Sequence, residues 1–467
     1  MKRLLLFIYL LIVNIECKFI INKLTIPTVS DQLIQQYFKE WMTNNNVLYD
    51  NDQFLYRFEI FKNNFHYIRE WNSGDSPTIL GLNAFADLEN EEFRSLYNML
   101  PVANLDDYYQ NHPQNIDVKK QFSFKSAHGY DLGPRPMSFD WRKKNAVGPI
   151  QNQGRCSSSW AFSAAGAMTS THKIDSDPLG VDITILSTQQ LLDCAGPYGT
   201  EGCLYGTPDQ AFDYAINSQG MVSSLGYPYE GYNTTCRSYE TDVVAQFDSF
   251  ELLTSGNEED LEIMLLKAPV SVVIDGGLLS FQLYQGGVYY EQACNNLTLT
   301  ASLLVVGYSY ATLSPSGILS GSTGLTGNRI SLSALGGLSS SADSTSTGYT
   351  ASISSSWATS SDSASSAWGQ LTSSSGYSGQ LNQNQNQNQN NIEQDKMGGN
   401  GQSSKEQMNT IPYWTLVNSW GTNWGENGVL YLIKDYHNAC GIASLATTIN
   451  SIPNNSKDSS NSAAPSE

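Results

Sequence analysis

Apolar residues near the N-terminus recur every three or four positions, the spacing of one face of an α-helix. A first series lies between Leu33 and Trp41, and Ser30 before it is a suitable N-cap. A second series forms a single stripe made of Phe54, Phe58, Phe61, Phe65 and Ile68. Residues 30–72 are therefore predicted to be helical, and the stripe is predicted to contact a core.

The pattern of hydrophobic and polar residues then changes twice along the chain. Residues 137–310 have the composition of an ordinary globular domain, but 26 of the 100 residues 311–410 are Ser, and residues 382–391 read NQNQNQNQNN. Such a low-complexity segment has too little apolar surface to offset the entropy of ordering it, so we predict a disordered insertion. Residues 411–447 return to a folded pattern, with strand-like TLVNSW, a Gly-rich turn and VLYLI. A polar tail follows.

The first residues have the pattern of a signal peptide. Lys2 and Arg3 precede an apolar run of ten residues, 4–13, and Cys17 lies near the expected cleavage point. The run is too short to cross a bilayer, and no later run reaches about 18 apolar residues. We expect a secreted or lysosomal/endosomal protein with no transmembrane segment.

The amino-acid composition excludes some classes of protein and one class of partner. The chain has 467 residues, 40% hydrophobic and 15% charged, which is unlike a disordered protein or a coiled coil. With 44 acidic and 25 basic residues the net charge is −19. Such a surface repels a phosphate backbone, so no nucleic-acid partner is expected.

The cysteine count suits an oxidising compartment. Six cysteines remain after Cys17, and six can form three disulfides in 15 possible ways. Their spacing does not match paired CxxC zinc sites, so neither a metal site nor a cofactor is expected.

The segment QNQGRCSSSWAFSAA, residues 151–165, resembles the active-site segment of the papain-like cysteine proteases. The similarity continues in family order outside the insertion and the tail. DWR at residues 140–142 resembles the start of the mature enzyme, and LLDC at 191–194 and GC at 202–203 follow. LLVVGY at 303–308 and NSWGTNWGENG at 418–428 resemble the strands that carry the catalytic histidine and asparagine.

The N-terminal helices resemble the inhibitory propeptide of the cathepsin L-like branch. The family's ERFNIN pattern is present with Gln in place of its first Glu, and the GNFD pattern is intact. The matching residues are Gln53, Arg57, Phe61, Asn64, Ile68 and Asn72, then Gly81, Asn83, Phe85 and Asp87.

The resemblance implies an α+β fold with two lobes, a helical left domain and a β-barrel-like right domain, preceded by the helical propeptide domain. It also implies three disulfide pairs, Cys156–Cys203, Cys194–Cys236 and Cys294–Cys440. The predicted domain order is a signal peptide 1–17, a propeptide 18–136, a first papain-like part 137–310, the insertion 311–410, a final papain-like part 411–450 and a tail 451–467.

The residues at the catalytic positions depart from the family. A thiol protease needs a thiolate, a nearby imidazole and a group that orients the imidazole. Here Ser159 matches the nucleophilic cysteine, and its hydroxyl is too weak an acid for a helix N-terminus to ionise. Ala301 matches the histidine, and a shift by one residue gives only Thr300 or Ser302.

Other family positions are kept but lose their purpose. Asn418 matches the asparagine and Gln153 the oxyanion-stabilising glutamine, yet no nucleophile remains for them to serve. Ser157 and Tyr205 replace glycines of the family, so we expect them to crowd the cleft, and Tyr205 to demand a costly backbone conformation. Sequons at Asn233, Asn296 and Asn454 are candidate glycosylation sites.

These observations predict a non-peptidase homologue of the papain-like proteases that acts by binding or regulation. Its partners would be peptides or other proteins, including active cysteine proteases. Two alternatives stay open. One is a residual or unconventional peptidase that uses Ser159, and the other is a regulator whose propeptide occupies the clefts of active relatives.

Overall fold

The computed structural model describes residues 29–102, 135–218, 220–237, 242–253, 256–313, 319–321 and 410–452. The predicted signal peptide, most of the predicted insertion and most of the predicted tail lie outside these residues. The described helices are α1 (Asp31–Asn44), α2 (Asn51–Asn72), α3 (Asn90–Tyr97), α4 (Ser159–Ser176), α5 (Thr188–Cys194), α6 (Pro208–Asn217), α7 (Glu258–Lys267) and α8 (Leu279–Gln282).

The N-terminal helical region is two helices rather than one. Ser30 caps α1 by accepting a hydrogen bond from the Leu33 N–H, and the chain leaves the helix at Asn46, whose φ is +54°. Asp50 then caps α2 through the Gln53 N–H. Aromatic side chains hold the two helices together, and the Phe38 and Phe61 rings lie 5.0 Å apart.

The left lobe is built around α4. This helix is buried on almost every side because its residues are small or apolar, as expected of a helix inside a core. It packs against α5, α6 and strands of the right lobe, and Trp160 near its start is fully buried. The disulfides Cys156–Cys203 and Cys194–Cys236 lie in this lobe.

The right lobe is a large sheet. Its strands are β1 (Thr78–Leu80), β2 (Phe139–Asp140), β5 (Phe247–Leu253), β6 (Val270–Ile274), β7 (Tyr284–Tyr289), β8 (Ala301–Leu313), β9 (Leu319–Gly321), β10 (Thr410–Val417), β11 (Val429–Ile433) and β12 (Ala446–Ser451). They follow the order β1-β7-β11-β10-β8-β6-β12-β5, with β2 and β9 paired to β8. Strands β3 (Met221–Val222) and β4 (Val243–Ala245) form a separate pair.

The long hairpin of β8 and β10 carries the predicted insertion at its tip. The two strands are antiparallel, and the outermost pair is Thr312 opposite Thr410. Gly307 in β8 allows β2 to approach, because a Cβ atom there would lie 2.3 Å from the Phe139 carbonyl oxygen. The chain between Leu313 and Thr410 therefore starts and ends at neighbouring positions of one hairpin. Within the predicted disordered insertion, residues 311–313 and 319–321 are instead paired strands of β8 and β9.

The N-terminal region is joined to the right lobe as well as packed on it. Strand β1 pairs with β7, and the Asn83 side-chain amide donates to the backbone carbonyls of Gln282 and Tyr284. Phe85 and Phe93 belong to the same apolar cluster as Trp420. The third disulfide, Cys294–Cys440, also lies in the right lobe. All three disulfides pair the cysteines as the family resemblance implies.

Candidate functional site

Ser159 is the first residue of α4 and is fully buried at the junction of the two lobes. Its side-chain oxygen accepts a hydrogen bond of 3.1 Å from the backbone N–H of Ser302, the second residue of β8. The hydroxyl of Ser159 therefore has a backbone amide as its partner rather than an imidazole.

Ala301 opens β8 beside this contact. It pairs with Ile274 in β6 and its methyl group is fully buried in the right-lobe core. The space around it is narrow, since a Cβ atom on Gly276 would lie 2.6 Å from the Ala301 Cβ atom. The structure thus brings the two positions that resemble the nucleophile and the histidine together, occupied by a serine and an alanine.

Asn418 follows β10 and is 2% exposed. Its side-chain oxygen accepts the Ser419 N–H at 2.8 Å, while its amide nitrogen has no hydrogen-bond partner. The hydroxyl of Ser302 is also buried without a partner. Both side chains line a small cavity of about 40 Å³ between the lobes, which Ser163 of α4 also lines.

Both polar atoms of the Gln153 side-chain amide form hydrogen bonds within the chain. Its oxygen accepts from the Ser419 hydroxyl and the Trp420 indole, at 2.8 and 3.1 Å. Its nitrogen donates to the carbonyls of Cys156 and Tyr97, at 2.8 and 3.2 Å. One of the two amide hydrogens that could stabilise an oxyanion is thus bonded to a carbonyl of the N-terminal region.

The segment after α3 lies in the cleft between the lobes. The Met99 N–H donates to the Thr300 carbonyl at 3.0 Å, and the Leu100 N–H donates to the Leu204 carbonyl at 3.1 Å. The Asn98 amide donates to the Thr300 hydroxyl at 3.0 Å. These bonds reach both lobes, so residues 98–102 cross the cleft at the residue that precedes Ala301.

Tyr205 corrects one expectation from the sequence. Its backbone is not among the described residues with positive φ, so the predicted conformational cost is absent. Its ring is half-buried against the left-lobe core, and burial raises the pKa of its hydroxyl. Gly206 beside it is required, because a Cβ atom there would lie 2.4 Å from the Trp160 ring.

Tyr229, which no motif in the sequence singled out, supports the loop before α4. The Tyr229 hydroxyl donates to the Gln153 carbonyl and is also bonded to the Ser158 hydroxyl, both at 2.8 Å. Burial raises its pKa to about 12, so it remains a protonated donor across the physiological range.

The described histidines lie elsewhere in the fold. His66 is in α2, His172 lies 13 residues along α4 from Ser159, about 20 Å away at ~1.5 Å per residue, and His437 stands beside Tyr436. The six described cysteines all form disulfides. Within the described residues, no group of three or more His, Cys, Asp or Glu side chains is arranged to hold a metal ion.

Comparisons with known proteins define the class. The model of the "Papain family cysteine protease" matches residues 135–320 and 364–449, and that of the "Cathepsin propeptide inhibitor domain (I29)" matches residues 38–93. The chain belongs to the papain family of cysteine proteases, with the propeptide of its cathepsin L-like members. The N-terminal region described above is this propeptide.

Relatives match over most of their length. "Cysteine proteinase 2" of Dictyostelium discoideum is 32% identical over 423 residues, which is 90% of this chain and 92% of that protein. Human "Cathepsin L2" is 27% identical over 89% of this chain and 92% of its own length. The solved structure of digestive procathepsin L 3 from Tenebrio molitor has a TM-score of 0.58 and 25% identity, covering 89% of this chain and 99% of that one. None of the described helices is long and apolar enough to span a membrane.

Proposed function

We propose that this chain is a papain-family protein without peptidase activity, which enters the secretory route and acts by binding in a secreted or endolysosomal setting. The observation that carries the proposal is the pairing of the Ser159 hydroxyl with the Ser302 N–H, next to the methyl group of Ala301. A serine hydroxyl without a general base is a poor nucleophile at neutral pH. Loss of either member of such a unit removes nearly all of the catalysis that the unit provides.

The propeptide supports the same proposal. In an active relative a cleft must open before a substrate can enter it. Here Met99 and Asn98 are buried, and hydrogen bonds from residues 98–102 reach both lobes. Because the chain supplies no thiolate or imidazole at this site, it would not cut its own propeptide. The closed form is then the working form, and binding takes place on its outer surfaces.

The direct test is peptide hydrolysis by the purified chain between about pH 4 and pH 8, before and after an added protease has removed the propeptide. We expect no turnover above that of Ser159→Ala, and no stoichiometric labelling of the native protein by iodoacetamide. Turnover that disappears in Ser159→Ala would instead establish the first alternative, a peptidase that uses Ser159 with an unrecognised base.

The second alternative is a regulator of active relatives through the propeptide. It draws on the match of residues 38–93 to the inhibitor domain. Residues 18–136, checked for helical structure by circular dichroism, would be added to an active papain-family protease. Inhibition at submicromolar concentration would favour this role, and its absence would leave outer-surface binding as the proposed mode.

A further inference from the structure

A surface groove lies on the right lobe, next to the end of β7 at which β1 of the propeptide is paired. Its volume is about 390 Å³, within the range of sites for small ligands. Tyr290 and Tyr436 form one wall, with their hydroxyls 3.1 Å apart and their rings edge to face at 5.1 Å. His437, Gln292 and Asn296 complete the lining that matters here. We call it the tyrosine groove.

The loop that forms one side of the groove contains several residues in an unfavourable, left-handed backbone conformation. Seven described non-glycine residues have positive φ, and four of them lie in this loop: Asp435, His437, Asn438 and Cys440. Left-handed backbone is unfavourable for such residues and persists only where the surroundings enforce it. Cys440 is fixed in addition by its disulfide to Cys294.

Glu258 at the start of α7 supplies much of that enforcement. Its buried carboxylate accepts hydrogen bonds from the backbone N–H groups of Asp435, Tyr436 and Asn438, at 2.8, 3.2 and 3.0 Å. It also accepts the indole N–H of Trp414 at 2.8 Å. The loop is therefore held in one shape, in which Tyr436 is 43% exposed to solvent.

Asn296 lies at the edge of the groove and is the first residue of the sequon Asn296-Leu297-Thr298. Its side chain is exposed, and its Cα atom lies 3.1 Å from where a Cβ on Gly441 would be, so its backbone is pressed against the loop. The sequon at Asn233 differs, because its side-chain oxygen already accepts the Cys203 N–H at 2.9 Å. An attachment point, a preformed concave surface and exposed aromatic faces thus coincide at Asn296.

We propose that Asn296 carries an N-linked glycan whose first sugars lie in the tyrosine groove. The Asn296 amide nitrogen would displace the diphosphate of a lipid-linked oligosaccharide at its anomeric carbon. A C–N bond forms, the C–O bond to the lipid diphosphate breaks, and the amide proton passes to a base of the transferring enzyme. The apolar faces of the sugars then cover the Tyr290 and Tyr436 rings, and His437 and Gln292 offer hydrogen bonds to their hydroxyl groups.

The test uses the full chain secreted from eukaryotic cells. Peptide mass spectrometry should find Asn296 modified, and Thr298→Ala should remove the modification while leaving Asn296 in place. We expect Thr298→Ala to lower the melting temperature by about 2–4 °C, because it uncovers the aromatic wall. In the Tyr436→Ala background the same change should have less than half this effect, which is the coupling expected of direct contact.

Two controls separate contact from other effects. Asn296→Gln removes the glycan by a different substitution and should reproduce the Thr298→Ala result, while Asn454→Gln removes a sequon elsewhere and should leave the melting temperature unchanged. An unmodified Asn296 would overturn the proposal. So would a melting temperature that does not respond to Thr298→Ala, or that responds equally with and without the Tyr436 ring. None of these outcomes depends on whether the chain has peptidase activity.

Discussion

The side-chain oxygen of Ser159 and the backbone nitrogen of Ser302 are 3.1 Å apart and hydrogen bonded. This bond ties the first turn of α4 in the left lobe to the start of β8 in the right lobe. The residue between Thr300 and Ser302 is an alanine, so the start of β8 places no general base next to Ser159. The contact that would carry catalysis in the family here joins two structural elements.

Restoring peptidase activity should require two substitutions at once. Ser159→Cys supplies a thiol without an imidazolium to keep it ionised, and Ala301→His supplies a base for a poor nucleophile. Each single variant should stay at background, and the double variant should exceed either by about 10²-fold or more, since the two groups act as a unit. Hydrolysis of a fluorogenic peptide after exogenous removal of the propeptide measures this. Equal activity of Ser159→Cys alone would mean that another residue serves as base.

Two buried serines of the interlobe cavity should respond oppositely to truncation. The Ser302 hydroxyl has no hydrogen-bond partner, so Ser302→Ala removes an unsatisfied polar group and should leave the free energy of unfolding unchanged or raise it by up to about 1 kcal/mol. The Ser163 hydroxyl donates to the Leu303 carbonyl at 2.7 Å, so Ser163→Ala should cost about 1 kcal/mol. Chemical denaturation with intact disulfides compares them, and a larger loss for Ser302→Ala would contradict this account.

Substitution of Glu258 should lower the free energy of unfolding more than most single substitutions in the right lobe. Glu258→Ala leaves three backbone N–H groups and an indole without their acceptor, and should lower the free energy of unfolding by about 3–5 kcal/mol. Glu258→Gln keeps only one acceptor oxygen, and its amide nitrogen faces two of the donors, so this variant should also be destabilising, although less so than Glu258→Ala. The neighbouring Glu259 bonds the side chain of Arg135 near the surface, so Glu259→Ala should stay within about 0.5 kcal/mol. Similar losses for the two alanine variants would refute the role of Glu258.

Acid should strengthen, rather than loosen, one contact of the propeptide. Burial raises the pKa of the Asp87 carboxyl, against a smaller lowering by the Tyr49 hydroxyl and the Arg57 charge. Because folding then favours the protonated acid, the ionised carboxylate penalises stability above the folded pKa, and the penalty is relieved as pH falls towards the unfolded value of about 3.9.

The variant Asp87→Asn makes this measurable, since it imitates the protonated acid. It should melt above the wild type at pH 7, and the difference should shrink as the pH is lowered towards about 4. Melting temperatures recorded across that range decide the matter. A variant that melts below the wild type at pH 7, by an amount that shrinks on acidification, would show that ionised Asp87 stabilises the propeptide and that acid weakens its packing.

The insertion should be dispensable for folding. Thr312 and Thr410 face each other in the hairpin, so replacing residues 313–409 by Asn-Gly leaves a two-residue turn of the favoured kind. Shortening the loop lowers the entropy cost of closing it, by about 0.6 kcal/mol for each halving. The shortened chain should keep its disulfides and melt at the same temperature or higher. Loss of folding would show that the removed residues, or the pairing of β9 with β8, support the right lobe.

The sequence predicted those parts of the fold that periodicity and short motifs encode. The apolar stripe from Phe54 to Ile68 predicted α2, and Ser30 was a correct N-cap. The break between α1 and α2 was missed, because the polar residues around Asn46 are compatible with both a helix and a turn. The cost expected at Tyr205 was wrong, because its backbone avoids the left-handed region that a family glycine can occupy.

The site was predictable as a set of positions but not as a set of contacts. Family order selected Gln153, Ser159, Ala301 and Asn418. It could not reveal that the Gln153 amide donates to the Tyr97 carbonyl, since that bond depends on where the propeptide enters the cleft. No sequence pattern pointed to Glu258 either, because its four hydrogen-bond donors lie in a loop and a strand more than 150 residues further along the chain.

The packing of the propeptide on Trp420 determines which surface proteolytic cleavage of this chain would expose. The Trp420 indole meets the rings of Phe85 and Phe93 edge to face, at 5.6 and 5.2 Å. In a protease, separating these surfaces is the step that creates the enzyme. If the chain has no peptidase activity, as proposed above, a cut by another protease would only uncover a large aromatic surface, which promotes aggregation. Proteolytic maturation would thereby become the start of this protein's turnover, and its lifetime would be set by how well residues 98–102 shield the cleft.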